Sequence, residues 1–571
     1  MTTRRKLLWL ALGIGLVIVG LYRPVRHFQL TYWDDYTYLQ VAETNRLTWA
    51  GLKYAFTSTY IYYQPLTWLS HGADCVIWGQ QYGGHHLQSV VWHALNAALV
   101  VLLAWQLTGA WSDRERVLFA GWVALVFAIH PLQVEPVAWL AGRKTVVAGF
   151  FSLLCLSAYL QWAGRPTHRR WWWLMVAAYV AALLSKPMAV PLPAVMLALD
   201  FFPLRRHEAV GWRRLIGEKW LLFALAGEVA VVTFVGQVDT GALRTSALTI
   251  PERLLVAARS FVFYVWKTVW PTRLSPFYPL EGDLSLRTPE FQFSVGACLL
   301  AAGGLFLARR RWPAVVAAGG AYVALVGPVS GLFQAGGQAV ADRFAYLPLV
   351  VVTLLVGSVG VWFARRWPVI VGLAAVLPLG WLLARTASQL PVWADNVTMW
   401  QAVVQQCPEA RVEYRFIAGG LAGQRRYAEA LPYAEIAYER LDDAPQARQN
   451  LGETFQEIAV AFIAQRRFGE CLIAAQRAVE LLPTNVPAHA AYGLAALKTG
   501  RYAEAVRELE TTLRLQANLP AAHYNLACAY AHLGRWAEAV TALRQAIAAK
   551  PDLAAIAQRD PALSSLNGGP P

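Results

Sequence analysis

Charge is scarce in this 571-residue chain: 15% of its residues are Asp, Glu, Lys or Arg, and 57% are hydrophobic. A soluble globular protein carries roughly 25% charged residues, so a single large soluble enzyme is excluded. Cysteine is scarce too, six in all, with no CxxC and no Cys/His spacing of a zinc site. Neither a disulfide framework nor a cysteine-based zinc fold is expected. Cys155 and Cys298 in apolar helices, and Cys471 and Cys528 at small packing positions, read as structural thiols. Acidic residues are few where the chain is most apolar. Residues 1–390 hold 33 Lys and Arg against 17 Asp and Glu, whereas 391–571 hold 17 against 18. The net charge of +15 therefore lies in the hydrophobic part, where it sets membrane topology, and no nucleic-acid partner is expected.

What is abundant is apolar sequence in span-sized runs. Leu7 to Tyr22, behind Arg4, Arg5 and Lys6, resembles a signal peptide, but more membrane follows it rather than a small-residue cleavage site, so it reads as an uncleaved first span. Further apolar stretches lie near 86–107, 117–135, 144–162, 171–187, 188–203, 219–237, 291–308, 313–332, 345–363 and 368–386. That makes about 11 transmembrane helices, most near the ~20 residues needed to cross ~30 Å of hydrocarbon. Basic clusters fall at every second boundary: the N-terminus, Arg114/Arg116, Arg165/Arg169/Arg170, Arg205 to Lys219, Arg309 to Arg311 and Arg365/Arg366. The positive-inside rule puts these in the cytoplasm and residue 390 outside. Glu252 to Trp270 fits an outer-face interfacial helix, because its cations Arg253, Arg259 and Lys267 share one arc. Whether it spans stays open. Glu228, inside the seventh span, should face the protein interior, since a charge in lipid costs about 2.5–3.5 kcal/mol.

After Pro391 the hydropathy falls and a phrase recurs: Arg426-Tyr427-Ala428-Glu429-Ala430, Arg467-Phe468-Gly469-Glu470-Cys471, Arg501-Tyr502-Ala503-Glu504-Ala505 and Arg535-Trp536-Ala537-Glu538-Ala539. The aromatics at 468, 502 and 536 recur at the tetratricopeptide period of 34 residues; Tyr427 precedes by more because of an insert around Asp442 to Gln449. Small residues (Ala459, Gly493, Ala527) fit the helix crossings. Such repeats stack into a superhelix with a concave, peptide-sized surface. The expected organisation is a transmembrane domain over 1–390, a linker over 391–410, about four repeats plus a capping helix over 411–565, and a flexible tail over 566–571. The fold class is all-α.

Chemistry has one conspicuous place to sit. The outer loop from Arg23 to His85 opens with Tyr32-Trp33-Asp34-Asp35-Tyr36-Thr37-Tyr38 and continues with Trp49, Tyr60, Tyr62, Tyr63, Trp68 and Trp78. Asp34 and Asp35 under aromatic cover suit one proton acceptor and one partner or metal ligand; two solvated acids opening a helix fit the same spacing. Arg143, Lys144, Lys186 and Arg343 fall at outer ends of spans, where cations hold an anionic leaving group or snorkel to headgroups. His85, His86, His130 and Glu135 lie at that level and either shape a sugar pocket, bind a metal, or cap and hydrogen-bond. Asn396-Val397-Thr398 fits an N-glycosylation acceptor, of consequence only in a eukaryotic host.

Taken together, Asp34-Asp35-x-x-Tyr38, Gln64-Pro65-Leu66-Thr67-Trp68-Leu69-Ser70-His71, Gly84-His85-His86-Leu87, His130-Pro131-Leu132-Gln133-Val134-Glu135-Pro136-Val137-Ala138-Trp139, Gly142-Arg143-Lys144, Ser185-Lys186-Pro187-Met188 and Ala341-Asp342-Arg343-Phe344-Ala345-Tyr346-Leu347-Pro348 resemble the transmembrane and tetratricopeptide-repeat-containing proteins. These are O-mannosyltransferase-like members of the membrane glycosyltransferase C superfamily. The resemblance runs from about residue 7 to 555. It implies an inverting transferase that moves a sugar, typically mannose, from a polyprenyl-phosphate donor to Ser or Thr hydroxyls outside the cytoplasm. It implies further that Asp34, the first acid of the motif, is the catalytic carboxylate, with Asp35 orienting it or holding a metal as the second member of the catalytic pair. The place of Arg143, Lys144, Lys186 and Arg343 at outer ends of spans makes them the expected donor-phosphate contacts. Tyr38, His85, His86, His130, Glu135, Asp342 and Tyr346 would line the sugar and acceptor pocket. Asp35 departs from the Glu that protein O-mannosyltransferases often carry there. Metal dependence stays open. The expected partners are a polyprenyl-phosphate-linked sugar, an acceptor protein held by the repeats, and membrane lipids. The expected place is a bacterial inner membrane with periplasmic repeats, or the endoplasmic reticulum membrane in a eukaryote. A non-catalytic membrane scaffold and a lipid-linked sugar transporter are the rival functions.

The topology is directly testable. A cysteine placed at position 310 should be shielded from an impermeant thiol reagent in intact cells, and one at 500 should be labelled; equal protection of both refutes the orientation.

Overall fold

The computed structural model describes the chain except residues 1, 32, 59–62, 240–247, 281, 334–336, 410–412, 442–443 and 565–571. Tyr32, Tyr60, Tyr62, Asp442 and the expected tail lie outside the described residues. The structure is 79% helical, with one two-stranded antiparallel pairing among the described residues, Tyr278–Pro279 against Gln338–Val340. The chain divides into two compact units, Met1–Gln406 and Cys407–Pro571.

The first unit begins with α1 (Thr3–Leu21). Three loop helices follow: α2 (Asp35–Asn45), α3 (Trp49–Thr57) and α4 (Pro65–Trp78). Next come α5 (Tyr82–Leu107), α6 (Asp113–Ile129), the short α7 (Val134–Ala138), α8 (Arg143–Gly164), α9 (Arg169–Ser185) and α10 (Leu192–Phe201). Two short helices, α11 (Arg206–Val210) and α12 (Trp212–Gly217), lead into α13 (Trp220–Asp239) and α14 (Ile250–Val269). The unit closes with α15 (Pro289–Ala308), α16 (Pro313–Val326), α17 (Pro348–Ala364), α18 (Pro368–Gln389) and α19 (Asn396–Gln406). Helices occupy each of the eleven apolar stretches. By length and composition four segments among the described residues can cross a membrane, Tyr82–Leu107, Leu140–Gly164, Pro289–Ala308 and Pro368–Trp393, and a fifth if α6 and the segment Pro131–Ala138, bent by 57°, form one span. Four more apolar helices are shorter.

Prolines make the breaks that matter. A residue before proline is pushed out of the helical region toward extended backbone. His130 ahead of Pro131 is extended and ends α6; Lys186 ahead of Pro187 is extended and ends α9. Both breaks turn polar side chains inward at the ends of apolar helices. α14 carries a Thr249/Glu252 capping box and buries Val256, Ala257, Ser260 and Tyr264. Its cations find protein partners, Arg259 on Glu290 at 2.7 Å and Lys267 on the Thr272 carbonyl at 2.6 Å.

Glu228 departs from expectation: it is exposed. α13 packs through the narrow strip of Leu222 and Ala226, both buried, and a residue two positions past Ala226 lies about 200° around the helix, on the open side. The 391–410 stretch contains a buried helix, since Val397, Met399, Trp400 and Val403 of α19 are all covered. Asn396 is buried as well, and its side-chain oxygen accepts from the Trp400 indole at 3.1 Å, so the glycosylation sequon is closed off.

The second unit is a stack of helix pairs: α20 (Glu413–Gly423) with α21 (Tyr427–Glu439), α22 (Pro445–Ala464) with α23 (Phe468–Leu481), α24 (Val486–Lys498) with α25 (Tyr502–Leu515), and α26 (Pro520–His532) with α27 (Trp536–Ala549), followed by α28 (Leu553–Ala557). The small crossing residues are fully covered, Ala459 and Ala527 at 0% exposure; a Cβ on Gly493 would sit 2.6 Å from Leu509 Cγ. The recurring phrase now has a physical reading. In every pair the arginine of Arg-x-x-Glu bonds the glutamate three residues on: Arg426–Glu429, Arg467–Glu470, Arg501–Glu504 and Arg535–Glu538. The residue just before that arginine is left-handed each time, Arg425 (φ 61°), Arg466 (φ 57°), Gly500 (φ 81°) and Gly534 (φ 71°). A side chain there costs roughly 1–2 kcal/mol that glycine avoids. Arg466→Gly should therefore raise the unfolding free energy of the repeats by about 1 kcal/mol, and Gly500→Ala should lower it by a similar amount. Denaturant melts of the two variants check the opposite signs.

Candidate active site

The site is organised by one buried carboxylate. Asp35, the first residue of α2, is fully covered. Its Oδ2 accepts from the Thr31 backbone N–H and hydroxyl, both at 2.9 Å, and its Oδ1 from the Ala141 N–H at 3.0 Å. Ala141 belongs to the short turn Leu140–Gly142 that opens α8, so this side chain ties the outer loop to the corner where α8 starts. Burial pushes the Asp35 carboxyl up to about 6, against the hydrogen bonds that favour its ionised form.

Asp34, one residue earlier and about 100° around the helix, is the half-exposed partner. Its Oδ2 accepts from Lys144 Nζ at 3.2 Å. The same ammonium donates to the Tyr38 hydroxyl at 3.2 Å and lies over the Trp139 ring. Tyr38 is held by stacking on Trp68 at 4.7 Å and by a hydrogen bond from the Gln64 side chain. Arg343 stands near the same ring, its guanidinium 5.3 Å from the Trp139 centroid and 5.5 Å from that of Trp33. Trp33 itself stacks on Trp139 at 4.7 Å. Arg343 pairs with Glu135 through its guanidinium, and its backbone N–H donates to Glu135 Oε2 at 2.7 Å. Lys186 donates to Thr145 Oγ1 at 2.9 Å and, like Arg343, sits over the Phe344 ring.

Asp34, Tyr38, Lys144, Lys186, Glu135 and Arg343 thus come from four stretches far apart in sequence, 34–38, 135–144, 186 and 343, and meet around Trp33, Trp139 and Phe344. The other expected site residues occupy different positions. Arg143 is fully buried on the opposite side of its helix turn, bonded to Asp74, to the His85 carbonyl and to Ser89 Oγ at 3.2 Å. His85 donates to the Gly79 carbonyl at 2.9 Å and His86 to the Ala138 carbonyl at 2.8 Å. His130 caps its own turn, accepting from the Leu132 N–H at 3.2 Å and donating to the Thr268 carbonyl at 3.0 Å. Tyr346 is buried among the helices, its hydroxyl accepting from Asn96 at 2.7 Å and bonding His93 at 2.9 Å. Asp342 is covered and accepts from the Tyr278 hydroxyl at 2.9 Å; burial, then the neighbouring Glu135 charge, holds its carboxyl well above the usual range.

Sequence reasoning did not single out Asp74, Thr145 or Trp139 as functional residues. Asp74 had a usable signal, its spacing of three from His71 on one helix face. Deeper among the apolar helices is a cavity of about 350 Å³ lined by Leu103, Leu156, Leu192, Ala321, Val350 and Leu354 among others. Its lining includes none of the charged residues above.

Fold and site together define a polytopic, all-helical membrane protein carrying a tetratricopeptide solenoid, with a charged cluster at the ends of its apolar helices. Residues 491–554 match the tetratricopeptide repeat family. The chain is 32% identical over 146 residues to the protein O-mannosyl-transferase tmtc2 of Xenopus laevis, a match covering 24% of this chain and 16% of that protein. It is 21% identical over 452 residues to the mouse protein O-mannosyl-transferase TMTC3, covering 69% of this chain and 46% of that one. Against mouse TMTC4 the figures are 24% over 444 residues, 67% and 59%. Among solved structures, the tetratricopeptide protein YrrB, described as having an unusual peptide-binding site, aligns at 20% identity and TM-score 0.23 over 28% of this chain and 77% of its own. The resemblance to the transmembrane and tetratricopeptide-repeat-containing proteins is borne out.

The raised carboxyl of Asp35 has a signed consequence. Between its ordinary value of 3.8 and about 6, the native protein holds a proton that the unfolded chain has released. Stability therefore falls as pH rises through that window, by up to about 1.4 kcal/mol per unit. Asp35→Asn should flatten this slope while lowering stability throughout, because its amide NH2 must face an N–H donor. Thermal unfolding of the purified protein across the window measures both.

Proposed function

We propose that this protein is a membrane glycosyltransferase that moves a sugar, mannose in the first instance, from a polyprenyl-phosphate donor to Ser or Thr hydroxyls of proteins on the non-cytoplasmic face, with inversion at the anomeric carbon. The observation that carries this reading is the convergence of one accessible carboxylate, Asp34, with three cations, Lys144, Lys186 and Arg343, among aromatic faces.

The division of labour follows from charge. An acceptor hydroxyl must shed a proton as its oxygen bonds to the anomeric carbon, and Asp34 is the carboxylate left open to receive it. The bond from that carbon to the phosphate oxygen breaks on the opposite face. The departing lipid phosphate gathers negative charge, which Lys144, Lys186 and Arg343 offset in a partly dry site. Lys144 bridges Asp34 and Tyr38, so an arriving phosphate competes for its ammonium and draws it off the base. Donor binding thereby prepares Asp34, which makes a donor-first order of binding the expected one. Arg143 and Asp35 act beneath this layer: each fixes the neighbouring residue that faces the substrate. Tyr38 and Glu135 shape the sugar pocket, while His85, His86, His130, Asp342 and Tyr346, each held by a partner of its own, support the helix ends behind it without touching the sugar. The apolar cavity among the spans suits part of a polyprenyl chain, and the repeats suit an extended acceptor segment.

Asp34→Asn keeps the size and hydrogen bonding of the side chain but removes the basic oxygen. Turnover in reconstituted vesicles, with polyprenyl-phosphate mannose and a Ser/Thr-rich peptide, should fall by roughly 10²- to 10⁴-fold while donor affinity persists. Lys144→Met should weaken donor binding by about tenfold or more, the value of one charge-assisted contact. Near-normal turnover of a correctly inserted Asp34→Asn protein removes the base assignment.

A further inference from the structure

Against the Tyr38 ring lies a set of side chains that the proposed transfer chemistry does not use. His71 and Asp74 stand three residues apart on α4, and His85 opens α5; all three are fully covered. His71 meets the Tyr38 ring edge-on at 5.4 Å. One imidazole nitrogen from each histidine and one Asp74 oxygen lie within 4.8 Å of one another; His85 Nδ1 is 3.6 Å from Asp74 Oδ2. Among the described residues, both nitrogens of His71, Asp74 Oδ1 and His85 Nδ1 have no hydrogen-bond partner. Leaving a buried polar atom unsatisfied costs roughly 1–3 kcal/mol, and one atom from each of the three residues can share a common partner.

We propose that His71, Asp74 and His85 form a binding site for a divalent first-row transition ion of the zinc class, which clamps α4 to α5 behind the Tyr38 face of the active site. The donor set is right: two imidazoles and a carboxylate are ordinary zinc ligands, with bonds near 2.0–2.2 Å. Tetrahedral bonds of that length set ligand atoms about 3.3–3.6 Å apart, so the candidate ligand atoms, all within 4.8 Å of one another, need an inward shift of a size that side-chain rotation supplies. The surroundings are those of a metal site as well. A ligating histidine ordinarily gives its other N–H to a carbonyl or carboxylate, and His85 Nε2 already donates to the Gly79 carbonyl at 2.9 Å, which leaves Nδ1 as the free lone pair. A ligating carboxylate is ordinarily held by a second group, and Arg143 bonds Asp74 through Oδ2, which leaves Oδ1. His71 has either nitrogen to give. Three protein ligands leave a fourth position for one water.

Arg143 holds one Asp74 oxygen from outside the ligand group, and among the described residues the histidines have no acidic partner other than that carboxylate within salt-bridge reach. The arginine satisfies one carboxylate oxygen; the remaining lone pairs still point at one another. The proposal is independent of the transferase reading, since a clamp of this kind would serve any function of the outer loop.

The full chain, purified in detergent without chelators, should carry one ion per chain by inductively coupled plasma mass spectrometry. The stripped protein should take up Co²⁺ with the visible ligand-field bands of a low-coordinate nitrogen/oxygen site, and chelation should lower its melting temperature. His71→Gln should lose the ion, and His86→Gln, one residue beyond the set with its ring tied to Ala138, should retain it. Substoichiometric metal together with no cobalt bands in folded wild-type protein overturns the proposal, as does full retention by folded His71→Gln. If that variant does not fold, the wild-type cobalt spectrum alone decides. Failure here would leave the Asp34 assay untouched, and loss of turnover in Asp34→Asn would leave the metal content unchanged.

Discussion

The bond between the Asp35 carboxylate and the Ala141 N–H is the constraint on which the site depends. It joins two segments 106 residues apart and sets the register of the whole outer loop against α8. Everything that gives the cluster its chemistry is counted from those two anchors: Asp34 is one residue before one of them, Lys144 three residues after the other, and Tyr38 one helical turn along α2. A carboxylate that accepts three hydrogen bonds and is still held up to about 6 shows how dry this anchor is. The burial that makes the anchor rigid is paid for in the stability of the ionised form, and the hydrogen bonds are what make that tolerable.

The same device appears three times. Asp34-Asp35, Arg143-Lys144 and Asp342-Arg343 are adjacent pairs of charged residues. In the first two, one member is fully buried against a structural partner and the other reaches the cluster; in the third, Asp342 is held by Tyr278 while Arg343 pairs with Glu135 beside the aromatic faces. Successive side chains on a helical turn point about 100° apart, so a doublet is the shortest way to put one charge into the frame and its neighbour into the site. The framed charge fixes the backbone, and the backbone fixes its neighbour. A site assembled from loops and helix ends gains from this, because a displacement of about 1 Å in a reacting group costs on the order of 100-fold in rate.

The doublets also explain what could be read from the sequence and what could not. Residue type and position located the cluster: acids after the first apolar run, cations at the outer ends of later ones, and prolines after His130 and Lys186 that break the helices there. The repeats were legible for the same reason, since a period of 34 and an Arg-x-x-Glu phrase are local signals that the ion pairs 426–429, 467–470, 501–504 and 535–538 reproduce. Which member of a doublet faces the site was not legible. That choice is made by partners far away along the chain, Asp74 for Arg143 at a separation of 69 residues and Ala141 for Asp35 at 106. Glu228 illustrates the same limit: hydropathy placed it within an apolar helix, but the packing strip of Leu222 and Ala226, which no local pattern marks, left it on the open face.

The histidines show how a fold-determined partner changes a residue's meaning. Read by type, His85, His86 and His130 form one polar band at the helix ends. In the structure they separate by what their second nitrogen does. His130 uses both nitrogens on backbone groups, whereas His86 gives Nδ1 to a backbone carbonyl and leaves Nε2 without a hydrogen-bond partner but outside the Asp74 group. His85 spends one nitrogen on Gly79 and keeps the other beside Asp74, and His71, the last residue of the Gln64–His71 stretch, completes the set. Ligand capacity therefore depends less on how many histidines gather than on which lone pairs the backbone leaves unclaimed. Because His71 touches Tyr38 and Tyr38 touches Lys144, whatever claims those lone pairs also holds the ring against which the lysine and the proposed base are set.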